Sequence, residues 1–371
     1  MKIGIPKEIK NHEYRVGMTP SSVREAVSHG HSVMIETRAG EGIGAIDDEY
    51  RAVGATIIDR AEDIFSSADL IVKVKEPQAV ERAMLRQGQI LFTYLHLAPD
   101  PDQTKDLISS GATCIAYETV TSPYGGLPLL APMSKVAGRM AIQAGAHCLE
   151  HPHGGRGILL GGVPGVDRAK VVVLGAGVVG KHAAAIAVGM GAEVWVVDRS
   201  PEVIEAHWQQ FGTSTHTVFS TRDAVEQHVL DADLVIGGVL IPGASAPKLV
   251  TREMVAAMTP GSVIVDVAID QGGCCETSKA TTHADPTYVV NDVVHYCVAN
   301  MPGGVPRTST YALNNVTLPH ILTLADYGFR EALKADSHLR NGLNVHDGQV
   351  TNAEVAVDLG YNYVEPLSVL G

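Results

Sequence analysis

The chain has 371 residues, more than one hydrophobic core usually supports, so two domains are expected. Apolar residues make up 45% and charged residues 19%, enough apolar surface to exclude a disordered chain. With 28 basic against 41 acidic side chains the net charge is −13, which excludes a broad nucleic-acid footprint but leaves room for a local cationic pocket.

The opening segment, MKIGIPKEIKNHEYRVGMTP, carries charges throughout and has no apolar h-region, so it does not read as a signal peptide. Lys2–Ile5 reads as a strand and Ser21–His29 as a helix. Strands are then predicted at Val33–Glu36, Leu70–Val74, Gln89–Phe92 and Thr113–Ala116. Strand and helix in alternation imply a parallel sheet covered on its faces. Met133, Val136, Met140, Ala144 and Cys148 recur at three- and four-residue spacing, which predicts a connecting helix over Met133–Glu150. Gly154 to Gly165 reads as loop.

A second series begins at Lys170–Leu174 (KVVVL) and continues with Glu193–Val197, Thr217–Phe219, Leu234–Gly237 and Val263–Asp266, with Val289 and Val290 as one more strand. Near-continuous apolar strands are buried on both faces, as in a doubly wound parallel sheet. The five cysteines include no C-x-x-C pair, and Cys274 and Cys275 are adjacent, which suits a reducing compartment. A helix over Tyr311–Tyr327 returns the chain to the first domain. The expected architecture is α/β: two Rossmann-like doubly wound parallel-sheet domains joined by long helices, with a cleft between them. Residues 1–130 plus 306–371 would form a discontinuous substrate domain, and 131–305 a nucleotide domain. No run of about 18 uncharged apolar residues occurs, so no membrane span is predicted and the cytoplasm is the expected location.

The chemistry starts at Gly175-Ala176-Gly177-Val178-Val179-Gly180, which follows KVVVL and precedes the helical run KHAAAIAVGMGA. Gly175 permits the tight turn, Gly177 lets backbone approach a pyrophosphate, and Gly180 lets the helix pack on the strand. The helix N-terminus offers N–H groups to the phosphates. The next strand, EVWVV, ends at Asp198, about twenty residues on, where an acid accepts the ribose hydroxyls. A carboxylate there repels a 2′-phosphate and favours NAD. Arg199 beside it reads either as a cation for that phosphate or as a side chain over the adenine face.

Ligands of such sheets gather at the carboxyl ends of the strands. Polar residues that follow predicted strands are therefore the catalytic candidates: Arg15, Lys75, His96, Asp270 and Asn300. Singly, each has an ordinary explanation as a packed histidine, a solvated cation or a turn former. Their joint placement is what points to a site.

Nine segments together resemble NAD-dependent L-alanine dehydrogenases: IPKEIKNHEYRVGMTP, VKVKEP, LFTYLHLA, APMSKVAGRMA, GGVPGV, GAGVVG, VAIDQGG, VANMPGGVPRTST and LNNVTLP. They run in that family's order along essentially the whole chain. RVGMTP and VKEP are shared with the related transhydrogenase α subunit, whereas YLHLA and AIDQGG are more specific. The resemblance implies that L-alanine, water and NAD give pyruvate, ammonia and NADH, reversibly. It implies that Arg15 and Lys75 hold the substrate carboxylate, that His96 is acid and base, and that Asp270 steers water and the amine. Met133 and Asn300 would line the pocket, with Leu130 and Met133 bounding the methyl group. For the cofactor it adds Ser134, Val178, Ser220, Val239, Leu240, Lys279, the run Val267, Ala268, Ile269 and Asp270, and the run Val298, Ala299, Asn300 and Met301. Val203 stands where relatives often carry a basic residue. Some relatives have an acid and a histidine proposed to bind Mg²⁺; Glu118 matches the acid, but Tyr327 stands at the histidine's place, so no required metal is expected. A homohexamer with no membrane or nucleic-acid partner is implied as well. The competing readings are a transhydrogenase-like NAD(H)-binding subunit, a related small amino acid or 2-oxo acid dehydrogenase, and a non-catalytic nicotinamide sensor.

Overall fold

The computed structural model describes residues 1–239 and 246–371. Its contacts group the chain into two units, residues 1–133 with 303–371, and residues 134–302. The first unit opens with β1 (Lys2–Ile5), β2 (Ser32–Glu36), β3 (Thr56–Ile58), β4 (Leu70–Val72), β5 (Ile90–Thr93) and β6 (Thr113–Ala116). The second contributes β7 (Lys170–Leu174), β8 (Glu193–Asp198), β9 (His216–Phe219), β10 (Leu234–Gly237), β11 (Val263–Asp266), β12 (Thr287–Val290) and β13 (Val293–Tyr296). The chain then returns to the first sheet with β14 (Leu343–His346) and β15 (Gln349–Val350).

The first sheet has the order β15-β14-β6-β5-β4-β1-β2-β3 and the second β12-β13-β11-β10-β7-β8-β9. In each, the chain starts at the middle, steps outward over two strands, and returns to build the other half, which is the doubly wound pattern. Their topological switch points lie between β1 and β4 in the first unit and between β7 and β10 in the second.

The apolar strands make two cores per sheet because successive side chains face opposite ways. Val171 and Val173 of β7 enter one cluster with Ala183, Ala187, Leu234, Ile236 and Val263. Val172 and Leu174 enter the other, with Val235, Ile264, Val225 and Val255. All four β7 side chains are fully buried, each contributing about 1.5–3 kcal/mol, so β7 is committed to the sheet centre. Ile71, Leu91 and Cys114 do the same on one face of the first sheet.

Both sheets are mixed at one edge, which corrects the all-parallel expectation. The Val289–Val290 strand is half of a hairpin: β12 and β13 pair antiparallel around Asn291-Asp292, whose φ values are 48° and 60°. β14 runs antiparallel to β6 and turns into β15 through Asp347-Gly348, with φ of 45° and 80°. Two residues of positive φ give the turn twist that antiparallel strands need. Leu70–Val74 also ends early, since β4 stops at Val72.

Two long helices complete the frame. Ala131–Cys148 replaces the predicted Met133–Glu150, and within the second unit its Gly138 lies so close to Val179 that a Cβ would sit 2.2 Å from the Val179 carbonyl oxygen. Pro306–Ala335 extends the predicted Tyr311–Tyr327 at both ends and is broken at Gly328, where φ is 75° and ψ 156°.

Candidate functional site

In the first unit, Arg15, Lys75, His96 and Glu118 follow the carboxyl ends of β1, β4, β5 and β6, four strands adjacent in the order β6-β5-β4-β1. The Arg15 segment is fixed from the long helix: Asn314 Oδ1 accepts the Thr19 N–H at 2.8 Å, and its amide donates to the Gly17 carbonyl at 3.0 Å. Arg15 is buried. Its guanidinium donates to Glu13 through Nε at 2.6 Å and Nη2 at 2.5 Å, and Nη1 reaches the Met133 sulfur at 3.0 Å. Burial works to lower the Arg15 pKa, and the hydrogen bond and charge of Glu13 outweigh it and hold it above its ordinary value. The structure thus brings Arg15 and Met133 together and adds a carboxylate that the motif did not signal.

The exit of β4 rests on a buried charge cluster. Lys73, with no exposure, donates to Glu8 at 2.9 Å and Glu81 at 2.7 Å. Burial lowers the Lys73 pKa, but the two carboxylates prevail and raise it; Glu8 is raised by its own burial despite Lys73. The other Glu8 oxygen accepts the Val74 and Lys75 N–H groups at 2.7 and 3.3 Å, which sets the backbone that carries Lys75. The Lys75 ammonium is 3.9 Å from Glu76, and Glu76 is also paired with Lys10.

His96 is exposed over 44% of its side chain and has a left-handed backbone, φ 51°. Its ring stacks on Tyr94 with 5.9 Å between centroids and 7° between planes. Tyr94 is pinned by its hydroxyl, which donates to the Leu129 carbonyl at 2.6 Å.

In the second unit, the glycine turn leaves β7 at the switch point. Gly175 has φ 96° and donates to Val197 O at 2.8 Å. A Cβ at Gly180 would lie 1.8 Å from the Gly175 carbonyl oxygen, so the helix Val178–Gly189 sits directly on the turn. A Cβ at Gly177 would meet nothing within 4 Å, and no side chain caps this helix. A bare helix N-terminus beside open space fits a pyrophosphate. Asp198 ends β8, and its carboxylate accepts the Ala176 N–H at 2.7 Å and the Ser200 N–H at 2.9 Å. Arg199 is exposed, Val178 is 42% exposed and Val203 half-buried.

The remaining cofactor candidates of this unit also follow strand ends. Ser220 comes after β9 and donates its N–H to Asp198 O at 2.9 Å. Val239 follows β10, and Leu240 lies outside the described residues. Val267, Ala268, Ile269 and Asp270 form a 3₁₀ turn after β11, with Ala268 and Ile269 buried and Asp270 exposed. Val298 and Met301 after β13 are buried, Ala299 is half-buried, and Asn300 has φ 63° with its carbonyl 3.2 Å from His283 Nε2. Lys279 is exposed with its ammonium 4.3 Å from the Tyr288 ring centroid. Ser134 is half-buried on the helix Ala131–Cys148.

A family described as "Alanine dehydrogenase/PNT, N-terminal domain" matches residues 4–137, and "Alanine dehydrogenase/PNT, C-terminal domain" matches residues 141–353. The chain belongs to the alanine dehydrogenase/PNT family. It is 60% identical to an alanine dehydrogenase of Halomonas elongata, with each chain covered completely. Among solved structures it matches an L-alanine dehydrogenase with a TM-score of 0.94 at 50% identity, covering 97% of this chain and 99% of the other. It also matches a transhydrogenase from Sinorhizobium meliloti with a TM-score of 0.82 at 27% identity, over 94% and 100% of the two chains. Membership of the alanine dehydrogenase/PNT family implies a nicotinamide cofactor, in agreement with the turn at Gly177. Among the described residues no helix is long and apolar enough to cross a membrane.

Proposed function

We propose that this chain is an L-alanine dehydrogenase that interconverts L-alanine, water and NAD with pyruvate, ammonia and NADH. The observation that carries the reading is that Arg15, Lys75 and His96 follow the carboxyl ends of β1, β4 and β5, the two strands flanking the first unit's switch point and the next one along. A small anionic substrate needs a forked donor and a net positive charge. Arg15 supplies the fork, but Glu13 neutralises it, so Lys75 carries the net charge that draws in the carboxylate. Met133, against Arg15, bounds the space for the methyl group.

Gly175, Gly177, Val178 and Gly180 would hold the cofactor's pyrophosphate and Asp198 its adenosine ribose, with Ser134, Arg199, Ser220, Val239, Leu240, Lys279, Val267–Asp270 and Val298–Met301 along the rest. When bound, the nicotinamide supplies a hydride acceptor or donor. In the oxidative direction His96 takes a proton as water adds to the substrate carbon and holds the carbinolamine oxygen. Asp270 orients water and the amine and offsets the positive charge of the imine. Asp198 favours NAD over NADP, since its charge opposes a 2′-phosphate. The resemblance also supports a cytoplasmic homohexamer.

The test is a substrate screen of purified protein with L-alanine, glycine and L-serine, each with NAD and NADP. We expect the highest turnover with L-alanine and NAD, and kcat/KM at least about tenfold lower with NADP. The transhydrogenase neighbour favours a second reading, hydride exchange between nicotinamide nucleotides. Nucleotide exchange with no L-alanine oxidation would replace the first reading by the second.

A further inference from the structure

Glu118 is spent inside the protein. Its Oε1 accepts the His96 N–H at 2.6 Å and the Leu95 N–H at 3.1 Å, and Oε2 lies 3.2 Å from the same Leu95 nitrogen. The carboxylate is 14% exposed, and Oε1 stands 3.9 Å from His96 Nδ1. From the other side, Gln103 Nε2 donates to the Leu95 carbonyl at 2.5 Å. The short loop that follows β5 is therefore gripped on both faces of one peptide unit.

The grip matters because His96 has φ 51°, a left-handed conformation that side chains with a Cβ adopt rarely. Something must hold it there, and two successive N–H groups converging on one carboxylate do so. The ring itself stacks on Tyr94.

We infer that Glu118 is the positioning residue for His96, fixing the backbone that presents its ring; the inference rests on the acid–base role proposed above. Both Glu118 oxygens thus face backbone N–H groups of the loop.

The variants are Glu118→Gln, which keeps shape and one acceptor oxygen, and Glu118→Ala. For Glu118→Gln we expect NADH binding, followed by fluorescence, to stay at the wild-type value. Its kcat for L-alanine oxidation should stay within about threefold of wild type, because the amide oxygen can still accept the His96 N–H. Glu118→Ala should lower kcat at least about tenfold with a smaller change in KM for L-alanine. A kcat in Glu118→Gln as low as in Glu118→Ala, or a wild-type kcat in Glu118→Ala, overturns the inference. A crystal structure of Glu118→Ala reads positioning without turnover. A His96 that has left φ near 51° supports it, and an unmoved His96 overturns it even if the wild-type enzyme proves not to use L-alanine, which would instead sink the function.

Discussion

Arg15 is paired before any substrate arrives. Its two bonds to Glu13 fix the guanidinium plane, so what remains for a carboxylate is oriented rather than free to search. Lysine cannot reproduce a fork of that kind. Arg15→Lys should therefore raise KM for L-alanine by about 10–100-fold, the loss of one or two charged hydrogen bonds, with a smaller effect on kcat; steady-state kinetics checks this. Asp198→Asn should weaken NADH binding by a similar factor of about 10–100, because the amide loses an acceptor for ribose and also loosens the Ala176 and Ser200 N–H groups. Isothermal titration measures it. The cations and the imidazole were legible as positions, because each follows a strand that reads clearly as apolar. Their carboxylate partners were not. Glu13 lies two residues from Arg15, and Glu118 22 residues from His96, and in the sequence each is only one acid among 41. A carboxylate's target depends on where its backbone points, which charge and spacing do not reveal.

At the level of elements, the loop after β4 is set by a buried ammonium between two carboxylates. Removing the cation leaves those charges uncompensated, so Lys73→Met should cost about 3–5 kcal/mol in urea unfolding, a size that separates it from a surface substitution. The turn after β7 depends on one close approach. Gly180→Ala must push the helix off Gly175 by more than an ångström, given the 1.8 Å separation, and should abolish NADH binding while leaving most of the helical circular dichroism. The central strands of both sheets were readable because they are apolar on both faces. β3, only three residues long with no fully buried side chain, carries no periodicity to detect. The two edge hairpins carried a signal that went unread: Asn291-Asp292 and Asp347-Gly348 are residue pairs suited to two left-handed positions. The break in Pro306–Ala335 escapes a periodicity reading because Gly328 interrupts the helix for one residue only.

Over the whole molecule, the chain builds two sheets of the same winding and joins them through residues that leave and return. The fold class follows from alternating strands and helices, whereas the antiparallel edges follow from turn chemistry local to each unit. Stability should depend on acid through buried histidines. Burial pushes His207 down to about 4, so the fold keeps it neutral while the unfolded chain protonates near 6.5. Its contribution is intact above that pH and is lost as pH falls toward 4. His207→Gln should narrow the gap between urea midpoints at pH 7.5 and pH 4.5, and an unchanged gap would exclude this role.

The proposed reaction turns on the acid–base role of His96. The most direct test is the appearance of reduced nicotinamide when L-alanine and NAD are mixed with wild-type protein and with His96→Ala. We predict NADH formation by the wild type, rising toward alkaline pH, and a loss of about 10²–10⁴-fold in His96→Ala with NADH binding retained. Turnover of L-alanine by His96→Ala at the wild-type rate would contradict the account.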